Sequence, residues 1–426
     1  MENPIRIAIA GLGSRGRTTY AEAVRKTLHD RAVITAVAEP IPGRRKEAAE
    51  TFHIPPECCF ETAEEMFARP KLADAALICT QDQQHVPHGL AALRQGYDVL
   101  MEKPISPDLG ECLSLLDTSR ETGKKVVICH VLRYSPFYRK IKEILDSGIL
   151  GELMAVQANE DVGYWHQAHS FVRGNWRSSD TTSPMILAKC CHDMDLFVWL
   201  TGRRCVRVSS FGSLGHFTSE HAPEGAALRC LDGCKAKENC PYDAEKIYIF
   251  NERTGIRHGK NGWPNNVLTP DPTEESLYRA LREGPYGRCV YFCDNNVVDH
   301  QSVSLEMEGG LTVSFTMSAF NAGGRFSKYM GTHGYMTADL TENAIRVMPF
   351  TGEPAVYDFN AEPERMLGHA GGDTVLLSEF LDLLHGAEPE GITSLEASME
   401  SHFICFGAED SRLHDGTPVA MTRYRP

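Results

Sequence analysis

The sequence predicts an α/β fold: an N-terminal doubly wound parallel sheet and a C-terminal α+β domain with a large, mostly antiparallel sheet. Short apolar runs alternate with helical patterns through residues 1–125, and strands alternating with helices imply parallel strands joined by right-handed crossovers. A glycine-rich turn follows the first apolar run directly. Beyond residue 130 this alternation stops, and period-two strands typical of a half-exposed antiparallel sheet become frequent.

The N-terminal elements follow from hydrophobic periodicity. β-Branched or continuous apolar runs predict strands at residues 5–10, 32–38, 75–79, 98–101 and 126–129. Patterns of helical period between them predict helices at residues 18–28, 44–51, 63–68, 85–95 and 108–122. Residues 1–125 are therefore assigned to the N-terminal doubly wound domain.

The C-terminal elements, assigned to a domain of residues 126–426, have a different rhythm. Helical patterns occur at residues 138–147, 184–200, 374–385 and 395–412. Alternating patterns predict strands at residues 153–159, 206–213, 302–307, 311–320 and 335–340. Residues 161–183 read as irregular chain crowded with aromatic, His and Arg side chains, and residues 215–300, rich in Gly, Pro, Cys and Asn, read as an insertion.

Composition excludes several classes of protein. The 426 residues carry 43 Lys+Arg against 57 Asp+Glu, a net charge of −14, which disfavours binding to nucleic acid. No stretch has the roughly 20 apolar residues that a membrane span needs. The N-terminal residues lack a secretory signal, so we expect a cytoplasmic protein whose 14 cysteines stay reduced or bind metal.

The glycine turn Gly11-Leu12-Gly13-Ser14-Arg15-Gly16 predicts a dinucleotide site. Such a turn needs one glycine for the bend, one where the backbone approaches a pyrophosphate, and one for close helix–strand packing. The helix that follows would present unpaired N–H groups to the phosphates. Glu39 ends the second strand, where a carboxylate accepts ribose hydroxyls and repels a 2′-phosphate, which favours NAD over NADP.

Motifs along the chain extend this prediction to a family. The glycine turn is joined by Thr80-Gln81-Asp82-Gln83-Gln84-His85, Glu102-Lys103-Pro104, Arg133-Tyr134-Ser135-Pro136, Trp176-Arg177 and Gly371-Gly372-Asp373. Together they resemble the glucose–fructose oxidoreductase / inositol dehydrogenase / rhizopine catabolism (Gfo/Idh/MocA) family over essentially the whole chain. The resemblance implies a Rossmann domain, oxidation or reduction of a sugar, polyol or glycoside, and a sheet that packs against a partner subunit in a homodimer or homotetramer.

The resemblance also assigns roles to individual residues. Thr80, Gln81, His85 and Glu102 would help to hold the cofactor, Lys103 would bind both the cofactor and the reacting hydroxyl, and Pro104 is a candidate for a cis peptide. His192 would act on the substrate hydroxyl, although Ala188 stands where the family commonly has Asp. On one continuous helix Lys189 and His192 share a face, so we expect the Lys189 ammonium to disfavour protonation of His192. The resemblance further places Trp176 and Arg177 at the nicotinamide end of the cofactor.

The aromatic-rich residues 162–177 have the composition of a carbohydrate pocket, since flat rings cover the C–H face of a pyranose and polar side chains bind its hydroxyls. A loop that buries its own aromatic residues is the structural alternative. The resemblance places the substrate against Tyr134, Tyr164, His166, His169 and Asp193.

Three cysteines in the insertion, Cys230, Cys234 and Cys240, lie within eleven residues of irregular chain. Such thiols can hold a structural Zn²⁺ or an iron–sulfur cluster if a fourth ligand is near, and we name Cys190 for that place. Free thiols without metal are the equal alternative.

The leading interpretation is an NAD(H)-dependent oxidoreductase that transfers a hydride between nicotinamide and a hydroxyl-bearing carbon of a sugar, polyol or glycoside. The first alternative is an NAD-dependent glycosidase that oxidises C3 transiently and eliminates the aglycone. The second is a nucleotide-binding regulatory protein without turnover.

Overall fold

The computed structural model describes residues 3–361 and 370–425. A six-stranded parallel sheet occupies the N-terminal part, with the strand order β3-β2-β1-β4-β5-β6 typical of dinucleotide-binding domains. Its strands are β1 Ile5–Ala10, β2 Ala32–Ala38, β3 Cys59–Phe60, β4 Ala75–Ile78, β5 Asp98–Met101 and β6 Val126–Ile128. Strand β6 extends this sheet past residue 125, where we drew the domain boundary.

A nine-stranded sheet forms the C-terminal part, in the order β14-β13-β12-β11-β7-β10-β9-β8-β15. Strands β7 and β10 pair in parallel and all other neighbours are antiparallel. The strands are β7 Leu153–Asp161, β8 Cys205–Ser213, β9 His300–Met307, β10 Thr312–Ser318, β11 Gly324–Gly331, β12 Gly334–Asp339, β13 Ala344–Pro349, β14 Ala355–Asp358 and β15 Val419–Ala420. Buried and exposed residues alternate along β9 and β10, so one face packs on the core. The predicted fold class is confirmed.

Helices cover both sheets. They are α1 Glu22–Lys26, α2 Pro42–Phe52, α3 Ala63–Phe67, α4 His85–Arg94, α5 Leu109–Thr122, α6 Pro136–Asp146, α7 Tyr164–His166, α8 Met185–Ala188, α9 Cys191–Thr201, α10 Asn265–Leu268, α11 Glu274–Glu283, α12 Gly372–Leu384 and α13 Leu395–Leu413. Wider, π-type turns occupy Ser14–Ala21 and Gln167–Arg173. Among the described residues, none of the helices combines the length and hydropathy needed to cross a bilayer.

The helix predicted at residues 184–200 is broken, which corrects the sequence analysis. Helix α8 ends at Ala188, and α9 starts only at Cys191. The Ala188 carbonyl, which an unbroken helix would offer to the amide four residues later, accepts a hydrogen bond from Lys103 Nζ at 2.6 Å. Lys189 and His192 therefore do not share the face of one continuous helix.

The segment between β8 and β9 contains α10, α11 and several single turns but contributes no strand to either sheet. It has a small core of its own, in which Phe217, Tyr242, Tyr248 and Leu281 are buried. Ala168 and Val172, from the turn Gln167–Arg173, belong to the same core. The insertion is thus packed against the aromatic-rich segment predicted to bind substrate.

Candidate active site

The glycine turn has the geometry that a dinucleotide requires. Gly11 has φ +90°, and a Cβ there would lie 2.5 Å from the Cys79 carbonyl oxygen. A Cβ on Gly16 would lie 2.0 Å from the Gly11 carbonyl oxygen. A Cβ on Gly13 would meet no protein atom within 4 Å, so this position is open toward a ligand. The cradle therefore fits a cofactor pyrophosphate.

Glu39 lies at the end of β2, beside the glycine turn, and is 4% exposed. Its Oε2 accepts the Leu12 amide at 2.8 Å, and its Oε1 accepts the Ile41 amide at 3.0 Å. Each carboxylate oxygen can accept a second hydrogen bond. Arg44 lines the adjoining cavity, whereas Glu39 is not among the residues of its wall.

One cavity connects the glycine turn to the second domain and to the insertion. Its wall contains the predicted residues Gly13, Ser14, Arg15, Thr80, Gln81, His85, Glu102, Lys103, His169, Trp176 and His192. The insertion adds Trp263, Asn266, Val267, Pro270 and Tyr286. The cavity lies at the carboxyl ends of β1, β4 and β5, which is where doubly wound sheets bind ligands.

Glu102 anchors a buried polar network below this cavity. Its Oε1 accepts Arg15 Nε at 2.6 Å and the Tyr20 hydroxyl at 2.7 Å. Arg15 NH2 also donates to Asp373 Oδ1 at 2.8 Å, which ties α12 to the glycine turn. Burial disfavours the charged carboxylate, but the Arg15 guanidinium holds the pKa of Glu102 below its usual value. Glu102 thus positions the first turn of the Rossmann domain.

The loop after β5 carries Lys103 into the cavity. The Lys103–Pro104 peptide is cis. His85 fixes this loop, because its Nδ1 lies 2.7 Å from the Pro104 carbonyl oxygen and its Nε2 lies 3.1 Å from the Thr80 carbonyl oxygen. Lys103 Nζ donates to the Ala188 carbonyl at the break between α8 and α9, which holds the ammonium in place.

Lys189 belongs to a charge cluster with Glu160 and Arg325. Its Nζ lies 3.3 Å from Glu160 Oε1, and Glu160 also pairs with Arg325. Burial chiefly, and then the Lys189 charge, lowers the pKa of His166 well below its usual value. Lys189 therefore acts electrostatically on His166, and its predicted effect on the protonation of His192 stays a prediction that a shared helix face no longer supports.

Asp193, predicted to contact substrate, faces the same cluster. Its Oδ1 accepts Arg325 Nε at 2.9 Å, and the residue is 5% exposed. Burial raises the pKa of Asp193, while Arg325 opposes that shift. Asp193 thus connects α9 to β11 and is not among the residues that line the cavity, so its contact with substrate stays a prediction.

Tyr134 and Arg177 are also not among the residues that line the cavity, and their contacts with substrate and cofactor stay predictions. The Tyr134 hydroxyl lies 2.9 Å from Thr393 Oγ1 and accepts the Thr393 amide at 2.9 Å. Arg177 Nε donates to Asp294 Oδ1 at 3.0 Å. The polar atoms of both side chains are thus bound to residues that are distant in the sequence.

The other predicted residues of the aromatic-rich segment have separate partners. His169 lines the cavity, stacks on Tyr286 with ring centroids 4.8 Å apart, and has its pKa lowered to about 3 by burial. Trp176 Nε1 donates to Asp82 Oδ1 at 3.0 Å. The Tyr164 hydroxyl accepts a hydrogen bond from Asn251 Nδ2 at 3.1 Å, and Tyr164 is not among the residues that line the cavity.

The cysteines do not form the predicted metal site. Cys230, Cys234 and Cys240 line a small separate cavity together with Cys289, whereas Cys190 is fully buried in the core of the second domain. Arg173 NH2 contacts Cys230 Sγ at 3.6 Å. Within residues 3–361 and 370–425, no three His, Cys, Asp or Glu side chains are arranged to hold a metal ion. Zn²⁺ or an iron–sulfur cluster is therefore unsupported, and Cys190 as fourth ligand is corrected.

Sequence reasoning missed the insertion's contribution to the cavity. Trp263 and Tyr286 lie in chain without helical or strand periodicity, so no pattern assigned them a surface. The available signal was local: a Trp-Pro dipeptide in a Gly- and Asn-rich stretch.

Family models match both parts of the chain. Residues 5–130 match the model described as oxidoreductase family, NAD-binding Rossmann fold, and residues 138–236 match the GFO/IDH/MocA C-terminal domain. The putative oxidoreductase YteT of Bacillus subtilis (strain 168) is 26% identical over 410 residues, which cover 90% of this chain and 92% of that protein. An inositol 2-dehydrogenase of Corynebacterium glutamicum is 28% identical over 212 residues, which cover 49% of this chain and 57% of that protein.

The fold is also shared with solved structures. An inositol dehydrogenase homolog from Azotobacter vinelandii, solved with NAD⁺, aligns with a TM-score of 0.68 and 16% identity, covering 99% of this chain and 98% of that one. At this identity the likeness concerns the fold alone.

Proposed function

Because the chain belongs to the GFO/IDH/MocA oxidoreductase family, with its NAD-binding Rossmann domain, we propose that it oxidises or reduces a hydroxyl-bearing carbon of a sugar, polyol or glycoside. The observation that carries this proposal is the single cavity that joins the glycine cradle to Lys103, His192 and an aromatic wall. The cofactor would lie along Gly13, Ser14 and Thr80, toward Lys103.

Proton handling falls to Lys103 and His192. Bound nicotinamide supplies the hydride acceptor or donor. The Ala188 carbonyl holds the Lys103 ammonium at 2.6 Å, so one of its protons is engaged and the others stay available for a substrate oxygen. His192, on the first turn of α9, lines the same cavity and would take the hydroxyl proton as the carbonyl forms.

The side chains that the second domain and the insertion contribute to the cavity support a carbohydrate substrate. Trp176, Trp263 and Tyr286 offer large flat rings, and His169 and Asn266 offer polar atoms among them. Such a mixture binds ring hydroxyls and C–H faces together.

One observation also favours the glycosidase alternative. Val267 and Pro270 of the insertion line the same cavity as Thr18 and Arg44 of the Rossmann domain. A nucleotide in this cavity would lie under the insertion, which would slow its release. Slow release suits an enzyme that reduces its own intermediate and so shows no net redox change.

The test is a panel of sugars, polyols and aryl glycosides, with NADH absorbance and aglycone release followed in parallel. Lasting NADH formation supports the dehydrogenase, and aglycone release without lasting NADH supports the glycosidase. Measured NAD binding without either signal over the whole panel would contradict the proposal.

A further inference from the structure

The insertion places an aromatic residue in the active-site cavity that the family models do not cover. These models match residues 5–130 and 138–236, and Trp263 lies outside both. Trp263 is 39% exposed although it lines the same cavity as Lys103 and His192. An exposed indole inside a cavity is a large apolar surface in need of a partner.

Three aromatic rings contact the Trp263 indole, and none of them lies parallel to it. Their centroids lie 5.3 Å away for Trp165, 4.9 Å for His166 and 5.4 Å for His169, and the interplanar angles are 58°, 77° and 89°. All three contacts are therefore tilted or edge-to-face. His169 gives its own face to Tyr286 instead, at an interplanar angle of 17°. The indole is fixed in orientation while part of its surface stays open.

The neighbours of Trp263 also locate it along the cavity. His166, whose ring is 4.9 Å from the indole, feels the charges of Lys189 and Lys103, which add to burial in lowering its pKa. Trp263 itself lines the same cavity as Lys103. Asn266, one turn further along the insertion, lines this cavity, and its Oδ1 has no hydrogen-bond partner among the described residues.

We propose that Trp263 is the platform for the C–H face of a pyranose ring, so that the substrate is a cyclic sugar or glycoside and not an open-chain polyol. This inference rests on the proposed function and narrows its substrate class. A pyranose in its ring form presents a flat apolar face, which an open-chain polyol does not keep.

The experiment measures binding apart from turnover. NAD-loaded protein is titrated with methyl hexopyranosides of several configurations and with D-glucitol and D-mannitol, and saturation-transfer NMR and calorimetry report affinity. Trp263→Ala removes the platform, and Trp263→Phe keeps a flat ring. Phe250→Ala is the matched control, because Phe250 is an exposed aromatic of the same insertion (42%) outside the cavity wall.

We expect at least one pyranoside to bind more tightly than either polyol. Trp263→Ala should weaken that binding about 10- to 100-fold, the range for loss of a central aromatic contact. Trp263→Phe should recover most of the affinity, Phe250→Ala should match the parent protein, and NAD affinity should stay unchanged in all three. Equal pyranoside affinity in Trp263→Ala, tighter binding of the polyols, or no pyranoside binding would each overturn the inference. Binding that follows the expected pattern without NADH or aglycone formation would contradict the proposed function alone.

Discussion

The ion pair between Arg133 and Asp195 is predicted to stabilise the junction that carries His192. Arg133 lies in the turn after β6, and Asp195 lies one turn beyond His192 on α9. Arg133 Nε and NH2 donate to the two carboxylate oxygens at 2.6 and 2.5 Å. The two side chains are 6% and 1% exposed, so each charge depends on the other for compensation.

The magnitude follows from this burial. Replacing Arg133 with Met leaves Asp195 as an uncompensated buried charge, which costs about 3–5 kcal/mol. That is a large fraction of a typical unfolding free energy of about 5–15 kcal/mol. Replacing both residues, in Arg133→Met with Asp195→Leu, removes both charges and should restore most of the loss. The pair should therefore show a strong coupling free energy in a double-mutant cycle.

Urea denaturation of the parent, the two single variants and the double variant measures this coupling. Turnover adds a second readout, because the double variant regains stability without regaining the link that orients α9 and His192. A cost below about 1 kcal/mol for Arg133→Met, as for an exposed pair, would show that the pair does not stabilise this junction. Fully additive single losses would show the same.

Four further expectations concern the site. Lys103→Met should lower kcat at saturating NAD by about 10²- to 10⁴-fold, the usual share of a general acid or base. Gly13→Ala should fold normally, since no protein atom lies within 4 Å of the new Cβ. It should bind NAD about 10- to 100-fold more weakly, because overpacking against the cofactor costs about 1–3 kcal/mol. Unchanged NAD affinity would contradict the role of the glycine turn as the pyrophosphate site. Lys189→Met should raise the pKa of His166, measured by NMR titration, because one of the charges that lower it is removed. Burial lowers the pKa of His130 from 6.5 to about 4, so the unfolded chain takes up a proton before the folded chain does as pH falls. Between pH 6.5 and pH 4, this residue should therefore lower the unfolding free energy by up to about 1.4 kcal/mol per pH unit. His130→Gln should remove that part of the pH dependence.

The Rossmann half and its cradle were predictable because their constraints are local. The left-handed Gly11 and the close approach of Gly16 to the Gly11 carbonyl arise within a few residues of chain. Strand periodicity then fixed where Lys103 and Thr80 would emerge, since both follow buried strands of one parallel sheet.

The predicted site residues that lie outside the cavity wall have partners far away in the sequence. Asp193 pairs with Arg325, 132 residues later, and Tyr134 binds Thr393, 259 residues later. No local pattern reveals which polar group will compensate a buried one. The broken helix has the same origin, because the Ala188 carbonyl is engaged by Lys103, 85 residues earlier. Trp263 was missed because chain without periodicity does not indicate which surface it will cover.

The most direct test of the proposed reaction is transfer of deuterium from the carbinol carbon of the substrate to nicotinamide, followed by mass spectrometry. We predict deuterated NADH with the parent protein for at least one C-deuterated pyranoside, and almost none with Lys103→Met under the same conditions. Protein that binds both NAD and the sugar but never places deuterium on the cofactor would contradict the account.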